Sequence, residues 1–309
     1  MKADCYGLGV DLIAPALAAA GARTFFVATL GEGLDLRRLL GAGPAIYVLN
    51  GLTPEDAAPM RAAQLTPVLN SPAQIALWDG PCALHVDTGM NRLGLQMRDL
   101  SAAEALQPAI VMSHLACASD PSDPMNAVQR ARFVEASVMF PKARKSLAAS
   151  AGALHEPEFA FDLIRPGVGL YGGGPLDRDN PALAVVATLT APLLSVFDVE
   201  AGESVGYGAS FVAPKRLRAA TAAFGYADGW LRSLSGKGYG VVGGVKCPLL
   251  GRVSMDLITL DVSAVPGAQA GDEVEFLGSN AKLDEMAALA ETIPYEILTN
   301  LSGVRRVLA

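Results

Sequence analysis

The strongest constraint in this chain is a change of period partway along it. Seven short apolar runs occupy 24–28, 45–50, 66–70, 82–87, 109–113, 145–149 and 161–167. Helical patterns separate most of them, at 10–20, 31–40, 54–63, 72–78, 101–106 and 124–139; the gap at 150–160 carries none. The runs are rich in Val, Ile, Leu and Phe and apolar on both faces, as strands of a helix-covered parallel sheet must be. After 171–175 the alternation stops. A long alternating stretch at 182–199 leads into short strands at 219–224, 238–242, 245–250, 257–262 and 273–277, with Gly and Pro between them. Two short helices, 283–290 and 295–300, close the chain. The expected class is therefore α/β: a (β/α)8 TIM-type barrel over residues 1–175, then a mostly β C-terminal domain over 176–309. An open doubly wound sheet is the alternative. The barrel is preferred because informative residues follow most strands instead of gathering at one switch point.

Hydrophobic residues make up 51% of the 309 positions and charged ones only 18%, enough apolar material for a large core. The net charge of −7 argues against nucleic acid, whose phosphates call for clustered cations. The cysteines at 5, 82, 117 and 247 show no C-x-x-C spacing and read as reduced thiols of a cytoplasmic protein. No apolar run is long enough to cross a membrane, and none follows Lys2 and Asp4 as a signal peptide would need.

Chemistry-bearing residues cluster around the strand ends. Lys2 is followed by Tyr6 and a Gly-x-Gly pair ahead of a helix, an arrangement suited to an imine with an aldehyde cofactor. The plainer reading is a solvated lysine. Asp87-Thr-Gly-Met-Asn-Arg92 follows a strand; Arg92 is suited to a bidentate grip on a carboxylate, or equally to pairing with a nearby acid. His114 ends the next strand, where a lone histidine is more often structural. Ser150 precedes Ala151-Gly152, and Arg165-Pro-Gly167-Val168 closes the last run. Ser150 with the Gly167 and Val168 N–H groups, expected to be free, suits a phosphate near the last two strands. In the β half, Tyr207 stands between Gly206 and Gly208, exposed enough to act as a base or simply packed in a hairpin. The backbone at Met255 and the hydroxyl of Tyr295, at a helix start, offer further donors.

In this order the motifs resemble the alanine racemases, over essentially the whole chain. The matching segments are Lys-Ala-Asp-Cys-Tyr-Gly-Leu-Gly, Asp-Thr-Gly-Met-Asn-Arg-Leu-Gly, Ser-His-Leu-Ala, Ser-Ala-Gly, Arg-Pro-Gly-Val-Gly-Leu-Tyr-Gly, Val-Gly-Tyr-Gly, Gly-Tyr-Ala-Asp-Gly, Gly-Arg-Val-Ser-Met-Asp and Ile-Pro-Tyr-Glu. The resemblance implies a pyridoxal 5'-phosphate enzyme that interconverts L- and D-alanine, supplying D-alanine for peptidoglycan. It implies that Lys2 holds the cofactor and is one base, and that Tyr207 of the partner subunit in a homodimer is the other. It implies that Arg165 donates to the pyridine nitrogen and that His114 links Arg165 to Tyr207 in a cationic relay. Tyr6, Ser150, Gly167, Val168 and Tyr295 would hold the phosphate, and Arg92 with the Met255 backbone the substrate carboxylate. Two positions depart from the family pattern. His85 stands where a lysine, often carbamylated, is usual, and Ala149 stands where an asparagine is usual. The family also has a strand and helix before the cofactor lysine, so the functional protein is expected to be longer. Readings left open are a broader amino-acid racemase, a decarboxylase of the same barrel type, a non-catalytic cofactor carrier, and a truncated protein of little activity.

Overall fold

The computed structural model describes residues 1–155, 157–176, 183–301 and 303–307. Two compact units divide the chain, which passes from one to the other between residues 169 and 178.

The first unit opens with a turn, α1 (Lys2–Tyr6), and then alternates. Its elements are α2 (Val10–Ala19), β1 (Thr24–Val27), α3 (Leu30–Leu40), β2 (Ala45–Val48), α4 (Ala57–Ala62), β3 (Thr66–Leu69), α5 (Pro72–Leu77), β4 (Ala83–Asp87), β5 (Leu95–Gln96), β6 (Ile110–Met112), α6 (Pro124–Ser137) and β7 (Arg144–Ser146). The strands pair in parallel in the order β1-β2-β3-β4-β6-β7, with β5 beside β4. Pairing in sequence order without a reversal is the wall of a barrel; a doubly wound sheet turns back at a switch point. Both faces are apolar. Ile46, Val48, Leu84, Val86 and Val111 pack into one core with Phe133 of α6, while Tyr47, Val68, Ala83, Ile110 and Met112 form a second cluster on the other face. Thr29 caps α3 in a capping box with Glu32, and Ser71 caps α5.

Two expectations fail here. The run at 161–167 is not a strand. Arg165 makes an isolated parallel bridge with Ala149, and its N–H donates to the Ala148 carbonyl (2.9 Å). The next residue is Pro166, which has no N–H to extend a ladder. The helix expected at 101–106 is instead a 3-10 segment, Met97–Ala103.

The second unit is built on an antiparallel sheet. It comprises β8 (Leu189–Val199), β9 (Ser204–Val205), β10 (Phe211–Val212), β11 (Leu217–Ala222), β12 (Tyr239–Val242), β13 (Val245–Pro248), β14 (Ile258–Asp261), β15 (Glu273–Leu277), α7 (Leu283–Leu289) and α8 (Pro294–Asn300). Six strands run in the order β13-β12-β15-β8-β11-β14, with β9-β10 as a separate hairpin. Phe224, Trp230 and Phe276 pack together inside it at centroid separations of 5.0–5.5 Å. The alternating stretch expected from 182 is a strand from 189 onward; its beginning at 182 lies outside the described residues.

Candidate active site

Parallel pairing brings the strand C-termini to one end of the first unit. The segments after β1, β4, β6 and β7 therefore converge there. Lys2 begins α1, and α1 is left-handed. Ala3, Asp4, Cys5 and Tyr6 have φ of 52°, 51°, 54° and 59°. Left-handed backbone costs about 1–2 kcal/mol for each non-glycine residue, so such a turn persists only if its surroundings hold it. Ala3 N–H donates to Glu32 Oε1 (2.7 Å), Val10 N–H to Asp4 Oδ1 (2.7 Å), and the Met1 nitrogen to the Phe26 carbonyl (2.9 Å). The turn buries Cys5 and Tyr6 and sets the Lys2 amine 6.0 Å from the Tyr6 ring.

Tyr6 leads to the residues expected to hold an anion. A Cβ placed on Gly167 would overlap the Tyr6 hydroxyl, with Cζ at 3.1 Å. Ser150 Oγ accepts from Gly167 N–H (2.7 Å) and Gly169 N–H (3.2 Å). The Gly167 N–H is thus engaged with Ser150, a correction to its expected freedom. Gly169, which the motif reading left out, takes part. Val168 between them is fully buried.

Arg165 is the partly buried cation of this end. Its Nη1 donates to the Ser146 carbonyl (2.8 Å) and Oγ (2.6 Å). Its Nη2 donates to the carbonyls of Ser113 (2.6 Å) and Leu147 (3.3 Å) and faces His114 Nδ1 at 3.4 Å. Burial lowers its pKa to about 10, so it stays charged at neutral pH. His114, depressed by burial and then by the Arg165 charge, titrates at about 3. It is therefore neutral, and the relay expected to be cationic carries its charge on Arg165 alone. Since Arg165 can only donate, His114 Nδ1 accepts and Nε2 holds the proton.

His85 is neutral for the same reasons, its pKa lowered to about 4 by burial and then by Arg165. Its Nδ1 lies 2.9 Å from Asn70 Oδ1, while Asn70 Nδ2 donates to the Leu49 (3.0 Å) and Val68 (2.7 Å) carbonyls. That commitment orients the amide and makes His85 Nδ1 the donor. Arg92 lies exposed in the loop after β4, near enough for its charge to depress both histidines. Asp87 does not pair with it. Asp87 Oδ1 accepts from Gly89 N–H (2.9 Å) and Asn91 N–H (3.1 Å), and Oδ2 from Gln96 (3.2 Å), tying the loop closed.

The other three predicted residues belong to the second unit. Tyr207 is 72% exposed in a 3-10 turn, with Gly206 and Gly208 at φ of 76° and 71° on either side. The Met255 carbonyl accepts from Ala227 N–H (2.9 Å). Tyr295 stands in the first turn of α8, half-buried, and burial raises its phenol pKa. Sequence reasoning also missed Glu32, Asn70, Ser146 and Gln129. Gln129, fully buried on α6, donates to the His114 carbonyl (2.9 Å) and accepts from Ala116 N–H (2.7 Å). Asn126 and Ser137 are buried on the same helix, so nothing in the sequence sets Gln129 apart.

A parallel barrel wall with a lysine, a glycine–serine cluster and a partly buried arginine gathered beside it fits a class, the barrel proteins that hold a phosphate-bearing cofactor. Comparison narrows the class. Residues 1–175 match the family described as alanine racemase, N-terminal domain, and 186–308 match alanine racemase, C-terminal domain. The alanine racemase of Rhodospirillum rubrum is 45% identical over 98% of this chain and 86% of its own. The crystal structure of alanine racemase from Bartonella henselae with covalently bound pyridoxal phosphate superposes with a TM-score of 0.93 at 36% identity, covering 99% of this chain and 90% of that one. The biosynthetic alanine racemase of Pseudomonas aeruginosa superposes at 0.91 with 34% identity, covering 97% and 88%. The chain belongs to the alanine racemase family.

Proposed function

We propose that the chain is a pyridoxal-phosphate-dependent racemase that interconverts L- and D-alanine with two bases, Lys2 and Tyr207 of the partner subunit. One observation carries the reading. The left-handed turn starting at Lys2 ends in Tyr6, whose hydroxyl faces Gly167, and Gly167 and Gly169 converge on Ser150. A lysine is thereby linked to a cradle whose glycine leaves the space a Cβ would fill, lined by the Tyr6 and Ser150 hydroxyls, and such a cradle suits a lysine-bound cofactor with a phosphate. When bound, pyridoxal phosphate supplies a ring that withdraws electrons from the substrate α-carbon.

The chain's own groups do the rest. Tyr6, Ser150, Gly167, Val168 and Tyr295 hold the phosphate, and Arg165 donates to the ring nitrogen. Because Arg165 remains protonated it can only donate there, and would disfavour a proton on that nitrogen. This favours a simple proton exchange over decarboxylation. The Lys2 amine removes or returns the α-proton on one face and the Tyr207 oxygen does so on the other, exchanging roles with the direction of reaction. Both groups ordinarily titrate well above neutrality. Neutral His114, with its proton on Nε2, offers Tyr207 a hydrogen bond backed by the Arg165 charge, which stabilises the phenolate. The exposure of Tyr207 supports action across an interface, hence a homodimer. Arg92 and the Met255 backbone bind the substrate carboxylate.

In this reading residues 1–175 form the cofactor domain and 176–309 the domain supplying Tyr207. The product D-alanine serves peptidoglycan, and the four free cysteines suit a cytoplasmic protein. No described helix is long and apolar enough to cross a membrane.

The test follows L-alanine in deuterated water. Wild type exchanges Cα hydrogen and forms D-alanine. Tyr207→Phe slows proton abstraction from L-alanine far more than it alters substrate binding. Unchanged kinetics in that variant would remove Tyr207 from the mechanism, and exchange without inversion would contradict the two-base scheme.

A further inference from the structure

Glu32 serves two masters. Its Oε2 accepts from Ala28 N–H (2.7 Å) and Thr29 N–H (3.2 Å), completing the α3 capping box with Thr29 Oγ1, which accepts from Glu32 N–H (3.3 Å). A cap needs nothing more. Its Oε1 is spent elsewhere, on Ala3 N–H at 2.7 Å, 29 residues away and one peptide beyond Lys2. Four successive non-glycine residues in the left-handed region must be held from outside, because the conformation is not their own preference.

We propose that Glu32 is a positioning residue for Lys2: its carboxylate buckles the left-handed turn to the corner between β1 and α3 and so sets the direction of the lysine amine. The proposal rests on the reading that Lys2 carries the cofactor. Its logic is one of donors and acceptors. The three backbone groups bonded to the carboxylate are N–H donors and the Met1 amine adds its charge nearby, so both oxygens must accept. An amide at this position turns one NH2 toward an N–H, and either the cap or the Ala3 bond is lost. An aspartate, one methylene shorter, keeps the charge but spans less of the distance between the two sets of donors.

The experiment compares wild type with Glu32→Gln, Glu32→Asp and Thr29→Ala, all as the full chain. Thr29→Ala removes the other half of the same cap without touching the Ala3 bond. Pyridoxal phosphate is titrated into each, and the visible band of the lysine-bound form is followed against cofactor concentration and pH. Amide hydrogen exchange is read over residues 1–9 in the cofactor-free proteins. Borohydride reduction and peptide mass spectrometry locate the bound cofactor.

In Glu32→Gln the cofactor should bind about tenfold more weakly, and exchange over 1–9 should quicken about as much, the size expected for a lost charge-assisted hydrogen bond. The pH midpoint of the visible band should move as well. Glu32→Asp should show the same pattern at smaller size. Thr29→Ala should lower the melting temperature yet leave affinity, exchange over 1–9 and pH midpoint within about twofold or unshifted, as a cap-only change requires. Wild-type affinity and protection in Glu32→Gln overturn the proposal, as does Thr29→Ala reproducing the loss. Should Glu32→Gln not fold, the same readouts on Glu32→Asp decide the matter. A cofactor found on another lysine overturns the reading of Lys2 along with the proposal. A cofactor found on Lys2 with affinity insensitive to Glu32 overturns the proposal alone.

Discussion

Replacing Gly167 by alanine tests the anion cradle at its tightest point. The added Cβ would overlap the Tyr6 hydroxyl and lie 3.1 Å and 3.7 Å from Cζ and Cε2. The hydroxyl overlap is about 1 Å inside an unstrained contact, too much for thermal adjustment alone. Backbone conformation is not the obstacle, since Gly167 is absent from the positive-φ residues. The Tyr6 ring therefore has to move, but it is 8% exposed and its backbone sits in the left-handed turn held by Glu32. Overpacking of this kind costs about 1–3 kcal/mol. Tyr6→Phe deletes the overlapping atom and leaves the 3.1 Å contact, so it should recover at least about 1 kcal/mol of that cost, a coupling typical of residues in direct contact. The assay is a double-mutant cycle of Gly167→Ala and Tyr6→Phe by urea unfolding, with pyridoxal-phosphate affinity measured alongside. Both singles should weaken cofactor binding. In stability the double variant should be less impaired than the sum of the singles. If Gly167→Ala alone costs less than about 0.5 kcal/mol, or the two changes simply add, the packing of Tyr6 on Gly167 is not what shapes the cradle.

Removing the Arg165 charge with Arg165→Met should raise the pKa of His114 from about 3, though not to the ordinary value, because burial is the larger cause and remains. A histidine NMR titration reads this, and a value still near 3 would refute the coupling. The same change strands carbonyls of Ser113, Ser146 and Leu147 and should cost about 1–3 kcal/mol in urea unfolding. The two depressed histidines also predict acid sensitivity. The unfolded chain takes up protons near the ordinary value of 6.5, whereas folded His85 and His114 resist until about 4 and about 3. Their contribution is thus complete above pH 6.5 and is lost as pH falls toward 4 and then 3. For His85 alone the loss is about 3 kcal/mol, and His85→Asn should flatten that part of the profile in urea midpoints measured from pH 7 to 4.

The sequence carried the barrel because a buried parallel strand needs apolar residues on both faces, and runs such as 45–50 and 82–87 have them. It carried the candidate residues because lysine, arginine, serine and glycine at strand ends have few other uses in that order. The strand expected at 161–167 was misread for a definite reason. Apolar composition there matches a strand, but Pro166 breaks the ladder and Arg165 turns its side chain to three carbonyls at the ends of β6 and β7.

What only the tertiary structure decided is how these groups are held and charged. No local propensity favours four left-handed residues after Lys2. They are tied down by bonds to other segments, among them the one from Ala3 to Glu32, 29 residues away. The charge on the relay was equally out of reach of sequence. Histidine 114 is an ordinary imidazole until burial and a guanidinium 51 residues away make protonation unfavourable. Residue type and order determine which chemistry the chain can attempt, since those are local and covalent. Which backbone is strained, which donor is already engaged and which group is charged depend on contacts between distant segments and on the dielectric they create, and these exist only once the strands have closed around the site.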